Sequence, residues 1–333
     1  MNKFLNNIRS KPNSNQENLN STKNSNIMDD SPKAVITKSI KGKSYQNKKL
    51  NWIIAHTSEV GRSHLVTKPP IPCQDNHAVK KLESGWGIAI SCDGAGSAKL
   101  SHEGSEYISK EGIKLFEAII AKNDWIKKSV FPSDDEWEEL SLKALKKMRY
   151  DLEQLSKFKK VDVRDLACTV IVVIFSPLGI LTTHIGDGRA GYRDLSNTWK
   201  PLISPHKGDE ANQTIFITSN PWLAEGFEMS GVKVPESNVF REEITAFTVL
   251  SDGCESHSFQ LGYFDKEQQK YIEENKPYPA FFEPLTKTLV GMNKEGLSQD
   301  QINNKWKNFV KQGTEKLKNE SDDKTLILAV IVE

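Results

Sequence analysis

Residues 91–102 read SCDGAGSAKLSH and directly follow the apolar stretch WGIAI at residues 86–90. That stretch has the length and composition of a buried strand, so the Asp93-Gly94 pair predicts a strand end followed by a turn. A carboxylate at such a position can face a site while its backbone stays anchored in a sheet. Asp93 is therefore the first candidate for a functional side chain.

Hydrophobic patterning predicts strands and helices that come in blocks. The predicted strands cover 51–56, 86–92, 168–175, 180–185, 246–251 and 325–332, and the predicted helices cover 104–121, 134–158 and 298–318. Because the two types do not alternate regularly, the pattern favours an α+β layered domain over a βαβ repeat. The stretch 205–245 contains prolines and has no sustained periodicity, so we predict an inserted flap there.

Charge divides the chain into a basic N-terminal tail and a mildly acidic body. Residues 1–50 carry a net charge of +7, which leaves −6 for the remainder of a chain whose total is +1. The tail is rich in Asn, Ser and Lys, so we predict disorder over 1–48 and a folded domain over 49–333. The acidic body argues against nucleic acid as a partner, although the basic tail leaves that alternative open.

The sequence contains no predicted membrane span, no secretory signal and no CxxC pair of the kind that binds metals. No apolar run approaches the roughly 18 residues of a membrane span, and the first residues lack the apolar stretch of a secretory signal. We therefore expect a cytoplasmic protein with no membrane partner. The cysteines Cys73, Cys92, Cys168 and Cys254 form no CxxC pair, so we expect reduced core thiols.

Acidic residues recur where the predicted strands begin or end. They are Asp75, Asp93, Asp187, Asp252 and Asp322. If these strands are neighbours in packed sheets, the carboxylates meet at one edge and repel one another. A hard divalent cation such as Mg²⁺ or Mn²⁺ would remove the repulsion, because both ions prefer oxygen ligands. A single Asp-Gly pair is more typical of a turn, so the prediction depends on the whole set.

Six motifs occur in a characteristic order between residues 52 and 333: CQDN, SCDGAGS, ACTVIV, HIGDGRAGY, LSDG and SDDKTLILAVIV. Together they resemble the metal-dependent phosphatases of the protein phosphatase 2C family, especially its bacterial branch. The resemblance implies a four-layer α-β-β-α sandwich, in which helices flank two mostly antiparallel sheets. It also implies an enzyme that hydrolyses phosphoserine and phosphothreonine in proteins, by attack of a water or hydroxide that bridges two Mn²⁺ or Mg²⁺ ions.

The resemblance assigns roles to individual residues. Asp93 would bridge the metals, the Gly94 carbonyl would bind one of them, Asp252 and Asp322 would be direct ligands, Asp75 would hold metal-bound water, and Asp187 would help with a third metal. The predicted catalytic residues are therefore Asp75, Asp93, Asp252 and Asp322. The implied partner is a phosphorylated protein from the pathway of a cognate Ser/Thr kinase.

Two departures from the family pattern concern the substrate phosphate and the last motif. Many relatives place an Arg shortly before the Asp75 motif, but residues 70–73 are PIPC, so Arg62 and the nearby His64 are the candidates to bind phosphate. Asp322 matches the family's Asp, whereas Asp323 stands where Asn is usual. The alternative function is a catalytically inactive regulatory or phosphoprotein-binding module, although the presence of every core Asp weighs against it.

Overall fold

The computed structural model describes residues 51–208, 214–267 and 269–332, and for residues 264 and 270–273 it describes the backbone alone. The predicted tail over 1–48 lies outside this range. The strands are β1 (Asn51–Glu59), β2 (Asn76–Lys81), β3 (Gly87–Cys92), β4 (Val170–Ser176), β5 (Gly179–Ile185), β6 (Arg189–Asp194), β7 (Trp199–Pro201), β8 (Glu228–Met229), β9 (Val232–Lys233), β10 (Glu236–Phe240), β11 (Ile244–Leu250), β12 (Phe259–Asp265), β13 (Lys270–Pro277) and β14 (Lys324–Val332). The helices are α1 (Arg62–Val66), α2 (Ser101–Lys122), α3 (Trp125–Lys128), α4 (Asp134–Lys159), α5 (Glu255–Ser258), α6 (Pro279–Lys294), α7 (Gln299–Gln312) and α8 (Glu315–Asn319).

Two antiparallel sheets form the centre of the domain. The first sheet has the order β1-β14-β11-β6-β7, and the second has the order β10-β5-β4-β3-β2. Aromatic and aliphatic side chains from both sheets, including Trp52, Phe175 and Phe247, form the core between them. Because β3, β4 and β5 are buried along their whole length, the second sheet must be covered on its other face as well.

Helices cover the outer faces of both sheets. Phe116 of α2 and Trp137 of α4 belong to the buried cluster that also contains residues of β3 and β4. On the other side, α6 and α7 lie against the first sheet, where the indole N–H of Trp306 donates to the Leu326 carbonyl at 2.9 Å. The predicted four-layer α-β-β-α sandwich is therefore confirmed.

Local capping explains where the helices begin. Ser133 accepts a hydrogen bond from the backbone N–H of Glu136 at 3.2 Å and starts α4, as predicted. The helix predicted over 298–318 is two helices, because the chain breaks at Gly313 and the side chain of Thr314 caps α8. None of the described helices combines the length and the apolar character that a membrane crossing requires.

The predicted flap over 205–245 was too broad at both ends. Ile217 and Trp222 are buried in the core between the second sheet and the helices. β10 pairs with β5 as an edge strand, and β11 already begins at Ile244. β10 was missed because it is only half-buried and therefore lacks a clear apolar alternation. The described segment also contains the small β8–β9 hairpin, in which Met229 pairs with Val232.

Candidate active site

Antiparallel pairing brings two predicted site residues together at one end of the second sheet. Asn76, the first residue of β2, pairs with Cys92, the last residue of β3. Asp75 immediately precedes the first and Asp93 immediately follows the second, so their backbones are neighbours. Val170 pairs with Ile185 at the same end, and Asp187 follows two residues later.

The first sheet contributes two more carboxylates to this end of the sandwich. Leu250, the last residue of β11, pairs with Leu326 of β14 and with Arg189 of β6. Asp252 follows β11 and Asp322 precedes β14, so both lie at the sheet end from which β6 starts. The strand order thus places all the predicted carboxylates at one end of the two sheets.

The pKa values show that these carboxylates interact. Burial raises the pKa of Asp75 and of Asp93, and charged neighbours within the cluster raise it further. Burial and then the charges of Asp187 and Asp322 raise the pKa of Asp252 to about 7, and the charge of Asp252 in turn raises the pKa of Asp93. Without a cation, these carboxyl groups therefore stay protonated at pH values at which ordinary carboxyl groups are ionised.

Backbone contacts hold Asp93 and Gly94 in place. The N–H of Asp93 donates to the Thr169 hydroxyl at 3.0 Å, and its carbonyl accepts from the Thr169 N–H at 2.7 Å. A Cβ atom at Gly94 would lie 2.5 Å from the Gln74 carbonyl oxygen, so this turn excludes any side chain. The turn after β3 is accordingly narrow and well supported.

The two adjacent aspartates of the last motif have different environments. Asp323 is buried, and its carboxylate accepts from the backbone N–H groups of Gly61 at 2.6 Å and Gln74 at 2.5 Å. An Asn there has only one accepting oxygen, whereas this position needs two. Asp323 therefore fixes the loop that leads to Asp75. Asp322 is exposed, and its charge acts on Asp252.

The candidates for phosphate binding differ in their distance from the carboxylates. His64 lies 3.0 Å from Asp323 through Nδ1, and its charge acts on Asp322. Arg62 is exposed and donates to Asn319 at 2.9 Å. The structure thus brings His64 to the rim of the carboxylate cluster and shows Arg62 on the neighbouring surface.

Sequence reasoning missed a set of charged residues next to Asp187. The ammonium group of Lys207 lies 3.0 Å from both carboxylate oxygens of Glu255 and opposes the burial that raises the pKa of Asp187. Glu255 also accepts from the buried guanidinium of Arg189 at 3.0 Å. Arg189 lies inside the GDGR motif and was visible there, but no local pattern indicated Lys207.

The donor set fits Mg²⁺ or Mn²⁺. Oδ1 of Asp252 is buried and accepts no hydrogen bond, which is costly for a carboxylate oxygen without a cation. Within the described part of the chain, no three His, Cys, Asp or Glu side chains stand close enough together to hold an ion by themselves. Mg²⁺ retains several waters and needs only one or two carboxylates, so carboxylate oxygens such as that of Asp252 suit it.

Comparison with known proteins agrees with this architecture. A family model described as protein phosphatase 2C matches residues 60–304. Serine/threonine-protein phosphatase 3 of Escherichia coli (strain K12) is 26% identical over 292 residues, which are 85% of this chain and 100% of that protein.

Two solved structures share the fold at lower sequence identity. A crystal structure of a bacterial serine phosphatase has a TM-score of 0.51 at 14% identity and covers 85% of this chain and 98% of its own. A variant described in the same way has a TM-score of 0.50 at 13% identity and covers 85% of this chain and 100% of its own. Because the family model matches well over half of the sequence, the chain belongs to the protein phosphatase 2C family.

Proposed function

We propose that this protein serine/threonine phosphatase hydrolyses phosphoserine and phosphothreonine in proteins at the end of the sandwich where the predicted carboxylates meet. The observation that supports the site is the convergence of acids from both sheets at one end of the sandwich, where burial and neighbouring charges raise the pKa values of Asp93 and Asp252. Buried carboxylates that repel one another destabilise the fold, so such clusters occur mainly at functional sites. The proposed metal-site residues are Asp75, Asp93, Gly94, Asp187, Asp252 and Asp322.

Two divalent cations, Mg²⁺ or Mn²⁺, would supply a nucleophilic water at neutral pH and neutralise the charge of the phosphate oxygens. Asp93 would help to hold these ions, because it is next to Asp75 in one sheet and the charge of Asp252 from the other sheet raises its pKa. Asp252 holds a proton near pH 7 in the absence of a cation. That proton must leave on cation binding, so affinity should increase with pH.

Substrate phosphate is proposed to enter beside His64, with Arg62 on the outer surface. A dianionic phosphate would interact favourably with both side chains and with the ammonium group of Lys207, which is about one-third exposed. The substrates are proposed to be phosphoproteins of a cognate Ser/Thr kinase pathway. A cytoplasmic location stays a prediction from the sequence.

The test is hydrolysis of a phosphothreonine peptide and of p-nitrophenyl phosphate with Mn²⁺, with Mg²⁺ and with EDTA. We expect turnover that depends on the metal and is lost in Asp93→Asn. Asp300→Asn is the matched control, because Asp300 is exposed on α7. Turnover that persists in EDTA or in folded Asp93→Asn would contradict the proposal. A folded protein without turnover under any condition would indicate the inactive binding module.

A further inference from the structure

A line of hydrogen bonds runs from Asp75 away from the carboxylate cluster. The Thr325 hydroxyl donates to Oδ2 of Asp75 at 2.9 Å. Ser58 Oγ lies 2.7 Å from Thr325 Oγ1 and 2.7 Å from Nδ1 of His77. Nε2 of His77 then lies 2.8 Å from Nδ1 of His56. These groups form a continuous chain from the site into the body of the protein.

The fold explains why these side chains meet. His56 and Ser58 are two residues apart on β1 and therefore project from the same face. Thr325 is the direct partner of Ser58 on β14, while His77 belongs to β2 of the other sheet. The chain of hydrogen bonds thus joins the two sheets at one edge of the sandwich.

The donor-to-acceptor direction of this chain of hydrogen bonds can be derived from its outer end, at Gln299 and Asn303 on α7. The amide nitrogen of Gln299 must donate to the carbonyl of Ile54 at 2.6 Å, and it also donates to Oδ1 of Asn303 at 3.0 Å. Oδ1 of Asn303 additionally accepts from the backbone N–H of His56 at 3.3 Å. The amide nitrogen of Asn303 therefore faces Nε2 of His56, at 3.2 Å, and donates to it.

The remaining donors follow one by one. Because Nε2 of His56 accepts, its Nδ1 carries the hydrogen and donates to Nε2 of His77. Nδ1 of His77 then carries the hydrogen and donates to Ser58, which donates to Thr325, which donates to Asp75. Burial lowers the pKa of both rings, which agrees with two neutral imidazoles.

We propose that His56 and His77 are positioning residues, which hold Asp75 as an oriented hydrogen-bond acceptor through Ser58 and Thr325. The proposal rests on the proposed function, in which Asp75 belongs to the metal site. The direction fixed at Asn303 leaves the Thr325 hydroxyl as the donor to Oδ2 of Asp75, so this oxygen meets an oriented hydrogen-bond donor. Outer partners of this kind orient the groups that bind a metal.

The first test measures the histidine tautomers of the intact protein by ¹⁵N NMR, without metal. We expect both His56 and His77 as Nδ1–H tautomers at neutral pH. A ring that serves only as packing has no reason to adopt one tautomer. An Nε2–H tautomer at His77 in the parent protein would overturn the proposal.

The second test measures Mn²⁺ affinity by calorimetry. Ser58→Ala interrupts the chain and should weaken binding by about 10-fold, the lower range for outer partners of metal ligands. His77→Phe should do the same, whereas His77→Asn should retain most of the affinity because its amide N–H can replace Nδ1–H. Ser141→Ala, which loses a 2.8 Å hydroxyl bond on α4, is the matched control and should bind as the parent does.

Two results separate this proposal from the proposed function. Unchanged Mn²⁺ affinity in folded Ser58→Ala would refute the positioning role while leaving the phosphatase site intact. A parent protein that binds no Mn²⁺ would refute the metal site. The tautomer measurement needs no metal and would still decide whether the chain of hydrogen bonds has the direction derived above.

Discussion

Replacing Asp252 by Asn should stabilise the metal-free protein at pH 8 and abolish its phosphatase activity. The folded protein raises the pKa of Asp252 from 3.8 to about 7. Between pH 3.8 and about pH 7, the folded state holds a proton on Asp252 that the unfolded state has released. The stability that this group contributes is therefore fully present below pH 3.8 and is lost as the pH rises through about 7.

The size of the effect follows from the same pKa values. Each pH unit corresponds to about 1.4 kcal/mol, so the ceiling is about 4 kcal/mol. A carboxylate that can move toward water avoids part of this cost, and we expect about 2 kcal/mol of stabilisation in Asp252→Asn at pH 8. The variant should show no advantage at pH 4, where the parent carboxyl group is largely protonated.

Urea unfolding in EDTA, followed by tryptophan fluorescence at pH 4 and pH 8, measures this difference. Asp300→Asn controls for a general charge effect, because Asp300 is exposed. Addition of Mn²⁺ at pH 8 should stabilise the parent protein but not Asp252→Asn. The reasoning would be refuted if Asp252→Asn were less stable than the parent at pH 8 in EDTA, or if its advantage were the same at both pH values.

Three further predictions use urea unfolding as the measurement. Gly94→Ala should destabilise the protein by about 2 kcal/mol, because its Cβ would meet a backbone oxygen at 2.5 Å. Gly96→Ala is the control and should be nearly neutral, because its Cβ would enter open space. Equal unfolding midpoints for the two variants would contradict this prediction. Arg189→Met should lose about 3 kcal/mol because it breaks a buried ion pair. The exposed Arg164→Met should lose far less, and similar losses would argue against the role of burial. Ser298→Ala removes a capping box and should lose about 1 kcal/mol, and an unchanged midpoint would show that the cap contributes nothing.

Strands that are buried on both faces were predictable to within one or two residues. β3, β4 and β14 begin and end close to the predicted limits because they are nearly continuous apolar runs. β2 was missed, since it is an edge strand that ends in the exposed Lys80 and Lys81. Its residues are ordered by pairing with β3, and a local pattern contains no information about that pairing.

The candidate site likewise combines features that local sequence patterns indicate with features that depend on contacts between distant segments. The sequence indicated which acids end or begin strands, and the choice of Asp322 over Asp323 as a metal ligand stays a prediction. It could not show that Asp323 anchors the loop before Asp75, because the donors are backbone N–H groups from a distant segment. Nor could it show the position of Lys207 beside Glu255, which depends on the path of the chain after β7.

Local patterning alone therefore determined the α+β class, the main buried elements and the identity of the carboxylates, because apolar periodicity and turn chemistry act between near neighbours in the chain. Only the tertiary structure decided that these carboxylates converge, that burial and neighbouring charges raise their pKa values, and that His56 and His77 are linked to Asp75. Strand order and contacts between the sheets are set by packing between residues far apart in sequence. Such contacts leave no periodic signal in any single segment.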